Sequence, residues 1–212
     1  MAHGRPLVGR THTDRCNRRT RHYRLSVTKT LMWVRRWEID LSSGEHAALC
    51  ALLLRIYPQH ASTFGDGRDF SGARPEGRVI GLRDGEPVAH LGFMRRTLRL
   101  DDGDDSVLCG DVGLVGVDPA SQRQGLGLAL LDETHRVFQR LSLPFGFLTC
   151  RPAVVPFYEK GGWIRMNGQV ARMLDNDLRP EVNHGPALVL PVTAPLSDWP
   201  SLRTVVRDGL EV

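Results

Sequence analysis

Two glycines and three long polar side chains precede an apolar run in the stretch SQRQGLGLAL, residues 121–130. Gly125 and Gly127 leave main-chain N–H groups uncovered where a helix begins, and these groups favour an anion such as a phosphate. A dinucleotide fingerprint would need a third small residue where Leu130 stands, and a P-loop would need Gly-Lys-Ser/Thr. The stretch predicts a phosphate-bearing ligand; for the short glycine pattern alone, an unoccupied helix start is the alternative.

The longer stretch VGVDPASQRQGLG resembles the signature of the GNAT acyltransferase superfamily, in which a V-x-V strand and a turn precede Q/R-x-x-G-x-G/A. The resemblance implies that loop amides wrap the pyrophosphate of acetyl-CoA, while the pantetheine arm pairs with the strand. The cofactor-binding residues that it implies are Val115, Gly116, Val117, Gln122, Arg123, Gln124, Gly125, Leu126 and Gly127.

The later stretch PFYEKGGW resembles the helix and turn that follow in the same superfamily. Its Tyr158 matches a tyrosine that often lies near the CoA sulfur, where it can donate a proton to the departing thiolate. The alternative is a tyrosine buried in the core, which is ordinary on a helix.

A resemblance to the NodA nodulation acyltransferases covers nearly all of the chain from Trp33 onwards. The stretches that carry it are GARPEGRVIGLRDGEPVAH, HLGFMRRTLRL, GDVGLVGVDP, LPFGFLTCRPA, ALVLPV, LSDWP and the closing RDGLEV. It implies transfer of an acyl group to the free amine of a glucosamine unit by a protein with the GNAT fold. A looser similarity to the aminoglycoside 2′-N-acetyltransferases also implies an amino-sugar acceptor.

The chain departs from the NodA pattern at the donor site. The NodA pattern has a degraded Q/R-x-x-G-x-G and no tyrosine at position 158, and its donor is a long acyl chain on acyl carrier protein. Both features are intact here, as in acetyl-CoA enzymes. We therefore expect an N-acetyltransferase that moves an acetyl group from acetyl-CoA to a primary amine of an amino sugar. Long-chain acylation of a chitooligosaccharide amine is the alternative.

Amide formation requires that an ammonium group lose a proton before its nitrogen attacks the thioester, so a carboxylate is needed near the acceptor. Asp111 is the candidate base, because NodA-like sequences carry an acid there; a solvent-facing carboxylate at a strand edge is the alternative. By family inference, N–H groups near Leu114 and Val115, freed by a strand bulge, would stabilise the oxyanion.

A polyhydroxylated, cationic sugar calls for carboxylates, hydrogen-bonding side chains and aromatic rings. The candidates within the NodA-like stretches are Arg74, Glu76, His90, Asp198 and Trp199. Each has a structural alternative. Arg74 and Glu76 could tie down a loop, His90 could be a core histidine, and Trp199 could cap the sheet.

The resemblance implies an α/β (α+β) fold of the GNAT type, with a mixed, mostly antiparallel central sheet flanked by helices and splayed at strands 4 and 5. The residue patterns predict a strand at MWVRRWEI, a helix opened by a Ser42 to Glu45 capping box with a buried face from Ala48 to Ile56, and a hairpin around Asp84-Gly85. A strand at SVLCGDVGLVGVDP precedes the glycines, and a helix follows them.

Downstream, PFGFLTC predicts a strand, PAVVPFYEKGG a short helix, and WIRMNGQVARML and ALVLPV the closing strands. Upstream, PQHASTFGDGRDFSGARPEG has no apolar period, which predicts a structureless segment, either a binding loop or disordered.

The chain has 212 residues, of which 28 are Lys or Arg and 24 are Asp or Glu. Residues 1–31 hold eight of the basic residues and one acid, which leaves 20 basic and 23 acidic residues from Met32 onwards. We expect residues 1–31 to be a disordered extension, with upstream translated sequence or a nucleic-acid-binding arm as alternatives, and residues 32–212 to form one acyltransferase domain.

The body's acidic balance argues against a nucleic-acid partner. We expect no membrane span, no metal site and a cytoplasmic location, and we leave a homodimer open. The widely separated cysteines Cys16, Cys50, Cys109 and Cys150 predict buried, reduced thiols.

Overall fold

A ten-stranded sheet runs through the residues that the computed structural model describes, which are Met1, 30–101 and 103–212. Its strands are β1 (Leu31–Trp37), β2 (Gly77–Arg83), β3 (Glu86–Leu100), β4 (Ser106–Val117), β5 (Phe145–Thr149), β6 (Ile164–Met166), β7 (Ala171–Leu174), β8 (Pro180–Asn183), β9 (Ala187–Pro191) and β10 (Val205–Leu210). The α-helices within these residues are α1 (Ser43–Ile56), α2 (Ala61–Phe64), α3 (Leu126–Arg140) and α4 (Val155–Lys160). The predicted mixed, mostly antiparallel sheet with helices is confirmed.

The hairpin of β2 and β3 turns at Asp84 and Gly85, as the sequence predicts. Both residues have positive φ, 54° and 88°. This is the backbone of a type I′ turn, whose twist matches that of the strands it joins. On the other side of β2, β1 pairs antiparallel with it, from Leu31 opposite Arg83 to Trp37 opposite Gly77.

β3 is long enough to pair with two different strands along one of its edges. Its first half pairs with β2, and its last two residues pair with β10 through Arg99 opposite Val206 and Leu100 opposite Val205. β4 runs antiparallel beside it. The order across the sheet is β6-β9-β5-β4-β3-β10-β7-β8, with β2 and β1 attached to the first half of β3.

The splay predicted between the fourth and fifth strands is present. β4 and β5 are parallel, but they pair only where Gly110 lies opposite Gly146 and Asp111 opposite Phe147. Beyond Asp111 the two strands diverge, and this edge of β4 faces a cleft instead of a neighbouring strand.

The C-terminal strands differ from the sequence prediction. WIRMNGQVARML forms two strands on opposite flanks of the sheet, because the chain turns at Gly168, whose φ is 76°. One of them, β6, pairs with β9, while β7 lies between β10 and β8. The sequence patterns did not predict β8 or β10, so β9 is not the last strand.

Helix α1 begins with the predicted capping box, in which Ser42 and Glu45 bond reciprocally. Its fully buried residues are Leu49, Cys50, Leu52 and Leu53. Ala48 and Ile56 are also predicted to be buried on this face, but both are only partly buried. Apolar residues at helical spacing predict the buried face of α3, and four of them, Leu130, Leu131, Val137 and Phe138, are buried. The fifth, Leu141, follows the end of the helix and is only partly buried.

The segment predicted to be structureless, residues 58–77, is partly helical. A 3₁₀ turn at Pro58–His60 leads into α2. Further along, the Asp69 carboxylate is buried against the Arg78 guanidinium, with a distance of 3.1 Å between the Asp69 Oδ1 and Arg78 Nη2 atoms. This ion pair holds the loop against β2.

Of the cysteines that the structure describes, Cys50 and Cys109 are buried as predicted, whereas Cys150 is only half-buried. Cys16 and residues 2–29 of the predicted N-terminal extension lie outside the described residues. Within 30–101 and 103–212, no helix has both the length and the apolar character needed to cross a bilayer.

Candidate active site

The gap between β4 and β5 is a cleft of about 550 Å³. One wall is the diverging edge of β4, residues 112–115, and the opposite wall is the end of β5 with the chain that follows it, residues 149–152. Other elements contribute the side chains of Tyr57, His60, Phe64, Phe157, Tyr158, Asn183 and Glu211. Elements distant in sequence thus converge at the point where the sheet opens.

A second cavity, of about 500 Å³, lies beside the start of α3. It brings together eight of the nine predicted cofactor-binding residues: Val115, Gly116, Val117, Gln122, Arg123, Gly125, Leu126 and Gly127. The ninth, Gln124, does not line it, and its side-chain oxygen accepts a 2.9 Å hydrogen bond from Arg83. The two cavities share Val115, Val154 and Phe157, so they are adjacent, and together they are called the groove.

Glycine is required at positions 125 and 127 of the loop for two different structural reasons. Gly125 is the N-cap of α3 with a φ of 79°, a left-handed conformation that would cost another residue about 1–2 kcal/mol. A Cβ atom at Gly127 would lie 2.8 Å from the Phe157 ring, so this glycine lets α3 and α4 approach. No side chain caps the helix, and its first N–H groups are left to bind an anion.

β4 carries a bulge at the centre of the groove. Its pairing with β3 shifts register between His90 and Gly92, and Leu114 adopts a positive φ of 54°. The carbonyl oxygen of Leu114 lies 2.9 Å from His90 Nδ1, and that of Val115 accepts a 2.6 Å hydrogen bond from the Tyr57 hydroxyl. Because the peptide is trans, the N–H of Val115 points away from the Leu114 oxygen.

Tyr158 lies on α4 with its side chain in the wall of the cleft, only 8% exposed. Burial raises the pKa of its hydroxyl well above the ordinary value, and the nearby Tyr57, Cys150 and Glu211 add to the effect. The hydroxyl is therefore a neutral proton donor across the physiological range. Burial also raises the pKa of Cys150 to about 11, so this thiol is protonated and is a poor nucleophile.

Glu211 supplies a carboxylate to the cleft. It accepts a hydrogen bond from the Thr149 hydroxyl, and its Oε1 lies 3.3 Å from Arg207 Nη2. Its side chain stays 32% exposed, so a ligand in the cleft can reach it. Its main-chain oxygen accepts a 2.7 Å hydrogen bond from Ala73, which fixes the segment.

Comparison with known proteins shows the family. The profile of nodulation protein A (NodA) matches residues 28–212. Nodulation protein A of Mesorhizobium plurifarium is 32% identical over 194 residues, which cover 85% of this chain and 97% of that protein. The chain belongs to the NodA family. It is therefore an N-acyltransferase.

Solved structures show the same fold at low sequence identity. The GNAT family N-acetyltransferase YhbS from Escherichia coli, solved in complex with CoA, is 15% identical with a TM-score of 0.55, covering 84% of this chain and 91% of that one. An acyl-CoA N-acyltransferase from Pseudomonas aeruginosa is 19% identical with a TM-score of 0.52, covering 76% and 99%. The predicted GNAT fold is thus confirmed for this member of the NodA family.

Asp111, the predicted base, does not line the cleft of this NodA family member. Its carboxylate is fully buried and lies 3.1 Å from Arg207 Nε and 3.3 Å from Arg96 Nε. The acid is therefore neither a solvent-facing strand-edge residue nor a group that an acceptor in the cleft can touch. Its placement favours a structural function, in which it forms ion pairs with two guanidinium groups.

The five predicted acceptor contacts do not come together. Arg74 reaches Glu38 and stacks over Phe70. The carboxylate of Glu76 binds Arg95, which lowers its pKa. These two residues hold their loop, as the structural alternative predicts.

Asp198 is exposed outside both cavities, and Trp199 is buried with its ring stacked on Phe147, 5.6 Å between centroids. His90 is completely buried beneath the bulge. None of the five predicted acceptor contacts lines the groove.

Glu38, His46 and Asp69 have ligand atoms within 4.8 Å of one another, as a metal site would. The Arg78 guanidinium lies among them, 2.7 Å from the nearer Glu38 oxygen and 3.1 Å from Asp69. This cation already balances the carboxylates, which disfavours a metal ion in the same place.

Tyr57 and Glu211 are site residues that the sequence did not identify. The signal for Glu211 is its position in the NodA-like stretch RDGLEV. The signal for Tyr57 is its position at the end of α1, directly before Pro58, where a side chain can reach a neighbouring element. From the sequence alone, neither signal distinguishes a residue of the active site from an ordinary surface or core residue.

Proposed function

We propose that this protein transfers an acyl group, acetyl in the first instance, from acyl-CoA to a primary amine of an amino-sugar acceptor. The observation that carries the proposal is the adjacency of the two cavities of the groove. The cavity at the N-terminus of α3 shares Val115 and Phe157 with the cleft that holds Tyr158 and Glu211. With such a donor, we place the reaction in the cytoplasm.

The donor's pyrophosphate would bind the uncapped N–H groups at residues 122–127, where the α3 dipole favours a negative charge. The pantetheine arm would then follow residues 115–117 of β4, whose edge is free of β5. This path delivers the thioester to the bulge. The N–H of Val115 would donate to the carbonyl oxygen as it becomes an oxyanion.

The amine must be neutral to attack. We assign the general base to Glu211, whose carboxylate is accessible in the cleft, in place of the buried Asp111. The acceptor's proton passes to Glu211, directly or through water, and the nitrogen forms a bond to the carbonyl carbon. The carbon–sulfur bond then breaks, and Tyr158 donates its proton to the thiolate. The nitrogen of the tetrahedral intermediate releases its second proton, which passes through water to Tyr158 and restores the neutral hydroxyl as the amide forms.

The acceptor would enter from the side of Glu211. A smaller cavity of about 200 Å³ adjoins the cleft there and shares Ser71, Glu211 and Val212 with it. Its other polar side chains include those of Asp175, Asn176 and Glu181. Carboxylates and an amide are suited to the ammonium and hydroxyl groups of a sugar.

Membership of the NodA family supports a second candidate, transfer of a long acyl chain to the free amine of a chitooligosaccharide. The groove has apolar walls, including Phe64, Leu114, Val154 and Phe157, that a longer chain could contact. Competing acetyl-CoA and long-chain acyl-CoA donors with one amino-sugar acceptor, followed by product masses, separates the two. An excess of acetylated product supports the first candidate; an excess of long-chain product overturns it.

A further inference from the structure

We propose that His90 is a positioning residue for acyl transfer, holding the Leu114–Val115 peptide group of the β4 bulge, and that Arg78 fixes the imidazole tautomer required for this. The inference rests on the proposed function, in which the N–H of Val115 meets the oxyanion. His90 does not touch the substrate groove; it acts through the main chain.

Three neighbouring strands set the interacting groups in a row. Arg78 lies on β2, His90 on β3 and Leu114 on β4. Arg78 Nη1 is 3.1 Å from His90 Nε2, and His90 Nδ1 is 2.9 Å from the Leu114 oxygen. Both Arg78 and His90 have 0% exposure, so water does not compete for these bonds.

The tautomer follows from the partners. A guanidinium has only donors, so the Nε2 atom that faces it must present its lone pair. The single proton of the neutral ring then resides on Nδ1, which donates to the Leu114 carbonyl. Burial, with the charge of Arg78 adding to it, lowers the pKa of His90 to about 3, which keeps the ring neutral.

Arg78 is itself held on two sides. Glu38 Oε2 is 2.7 Å from its Nε, and Asp69 contributes both a carboxylate oxygen at 3.1 Å and its main-chain oxygen at 2.9 Å. The other carboxylate oxygen of Asp69 lies 2.8 Å from His46 Nδ1. The guanidinium therefore has little freedom to turn away from His90.

The bulge needs such support. Leu114 has a φ of 54°, which is unfavourable for a leucine, and the bond from His90 stabilises this conformation. With the Leu114 oxygen directed to His90, the trans peptide directs the Val115 N–H the other way. Val115 borders both cavities, where the thioester would lie.

The test compares two amide substitutions. In His90→Asn, the side-chain N–H₂ can occupy the position of Nδ1 and keep the bond to Leu114. In His90→Gln, the amide reaches the position of Nε2 and loses that bond. We expect kcat to fall about 10–100-fold in His90→Gln and at least severalfold less in His90→Asn, with the Kd for CoA changed less than about twofold in both.

Thr134→Val is the matched control, because it also removes one buried hydrogen bond, 2.8 Å from Thr134 Oγ1 to the Leu130 oxygen, away from the bulge. It should lower Tm without lowering kcat. If kcat in His90→Gln equals or exceeds that in His90→Asn, or if kcat follows Tm across all three variants, the positioning proposal is overturned.

Hydrogen exchange of the peptide covering residues 112–117 separates this proposal from the proposed function. Faster exchange in His90→Gln than in His90→Asn would show that the imidazole stabilises the bulge. This result would hold even if the wild-type protein transfers no acyl group and the proposed function fails. Equal exchange in the two variants overturns the positioning proposal, whatever the activity.

Discussion

The hydroxyl of Tyr57 donates a 2.6 Å hydrogen bond to the carbonyl oxygen of Val115. This bond joins the end of α1 to the bulged strand at the centre of the groove. Burial raises the pKa of Tyr57 to about 12, so the hydroxyl is protonated and remains a donor under physiological conditions. The first helix and the fourth strand, far apart in sequence, therefore support the same short segment of main chain.

Tyr57→Phe should lower kcat/KM about fivefold, because the loss of one buried hydrogen bond, about 1 kcal/mol, lets the Val115 peptide move. Steady-state kinetics measures the effect. Thr193→Val is the control: its hydroxyl donates a 2.9 Å bond to the Leu143 oxygen, outside both cavities. Equal activity in the two variants would show that the Tyr57 bond is only structural.

Gly125→Glu should weaken CoA binding by about 100-fold or more, because a carboxylate would repel the pyrophosphate at the α3 N-terminus. Gly85→Glu is a matched control, since Gly85 also has a positive φ, 88°, and open space around its Cβ position. Both variants carry the same backbone strain. Calorimetric titration with CoA should find binding intact in Gly85→Glu; similar losses in both would place the pyrophosphate elsewhere.

Tyr158→Phe should lower kcat about 100-fold with little change in the Kd for CoA, because the phenylalanine cannot protonate the thiolate. A raised pKa means that the proton is lost only above the ordinary tyrosine value of 10.0. The kcat of the wild type should therefore show no alkaline decline from this group below pH 10. Unchanged kcat in Tyr158→Phe would contradict the donor assignment, and a decline that begins near pH 8 and that Tyr158→Phe abolishes would contradict the raised pKa of this hydroxyl.

Glu211→Gln and Asp111→Asn distinguish the two candidate bases. Glu211→Gln should be destabilised less than Asp111→Asn, because the Glu211 side chain is 32% exposed, and it should lose about 100-fold in kcat/KM, because the amide cannot accept the ammonium proton. Asp111→Asn should instead destabilise the fold by about 3–5 kcal/mol, because it leaves Arg207 buried without its full counter-charge. Urea unfolding and kinetics measure both. A stable but inactive Asp111→Asn variant would restore Asp111 as the base.

Local patterns predicted the elements around the proposed donor site. The glycine loop, the Asp84-Gly85 hairpin and the capping box of α1 each depend on a few adjacent residues, and each is present. The splay between β4 and β5 came from the family resemblance, and it is also present. The local features could be predicted because each depends mainly on neighbouring residues in the sequence.

Long-range contacts explain what the sequence could not predict. Asp111 is a candidate base by the family resemblance, but its carboxylate is buried against Arg207, 96 residues later in the chain. Histidine and tryptophan are residue types that often contact sugars. In the fold, however, His90 bonds to the main chain of the β4 bulge and the Trp199 ring stacks on Phe147, so neither side chain faces a ligand. Glu211 enters the cleft only because β10 inserts beside β3, a pairing that no local period indicates.

The most direct test is to incubate the protein with acetyl-CoA and a mixture of aminoglycosides, glucosamine and deacetylated chitooligosaccharides, and to read product masses. We expect CoA release together with the mass gain of one acetyl group on an acceptor that carries a free amine, and loss of both in Gly125→Glu but not in Gly85→Glu. Absence of an acylated product with acetyl-CoA, and again with long-chain acyl-CoA donors, would contradict transfer from CoA to an amino sugar.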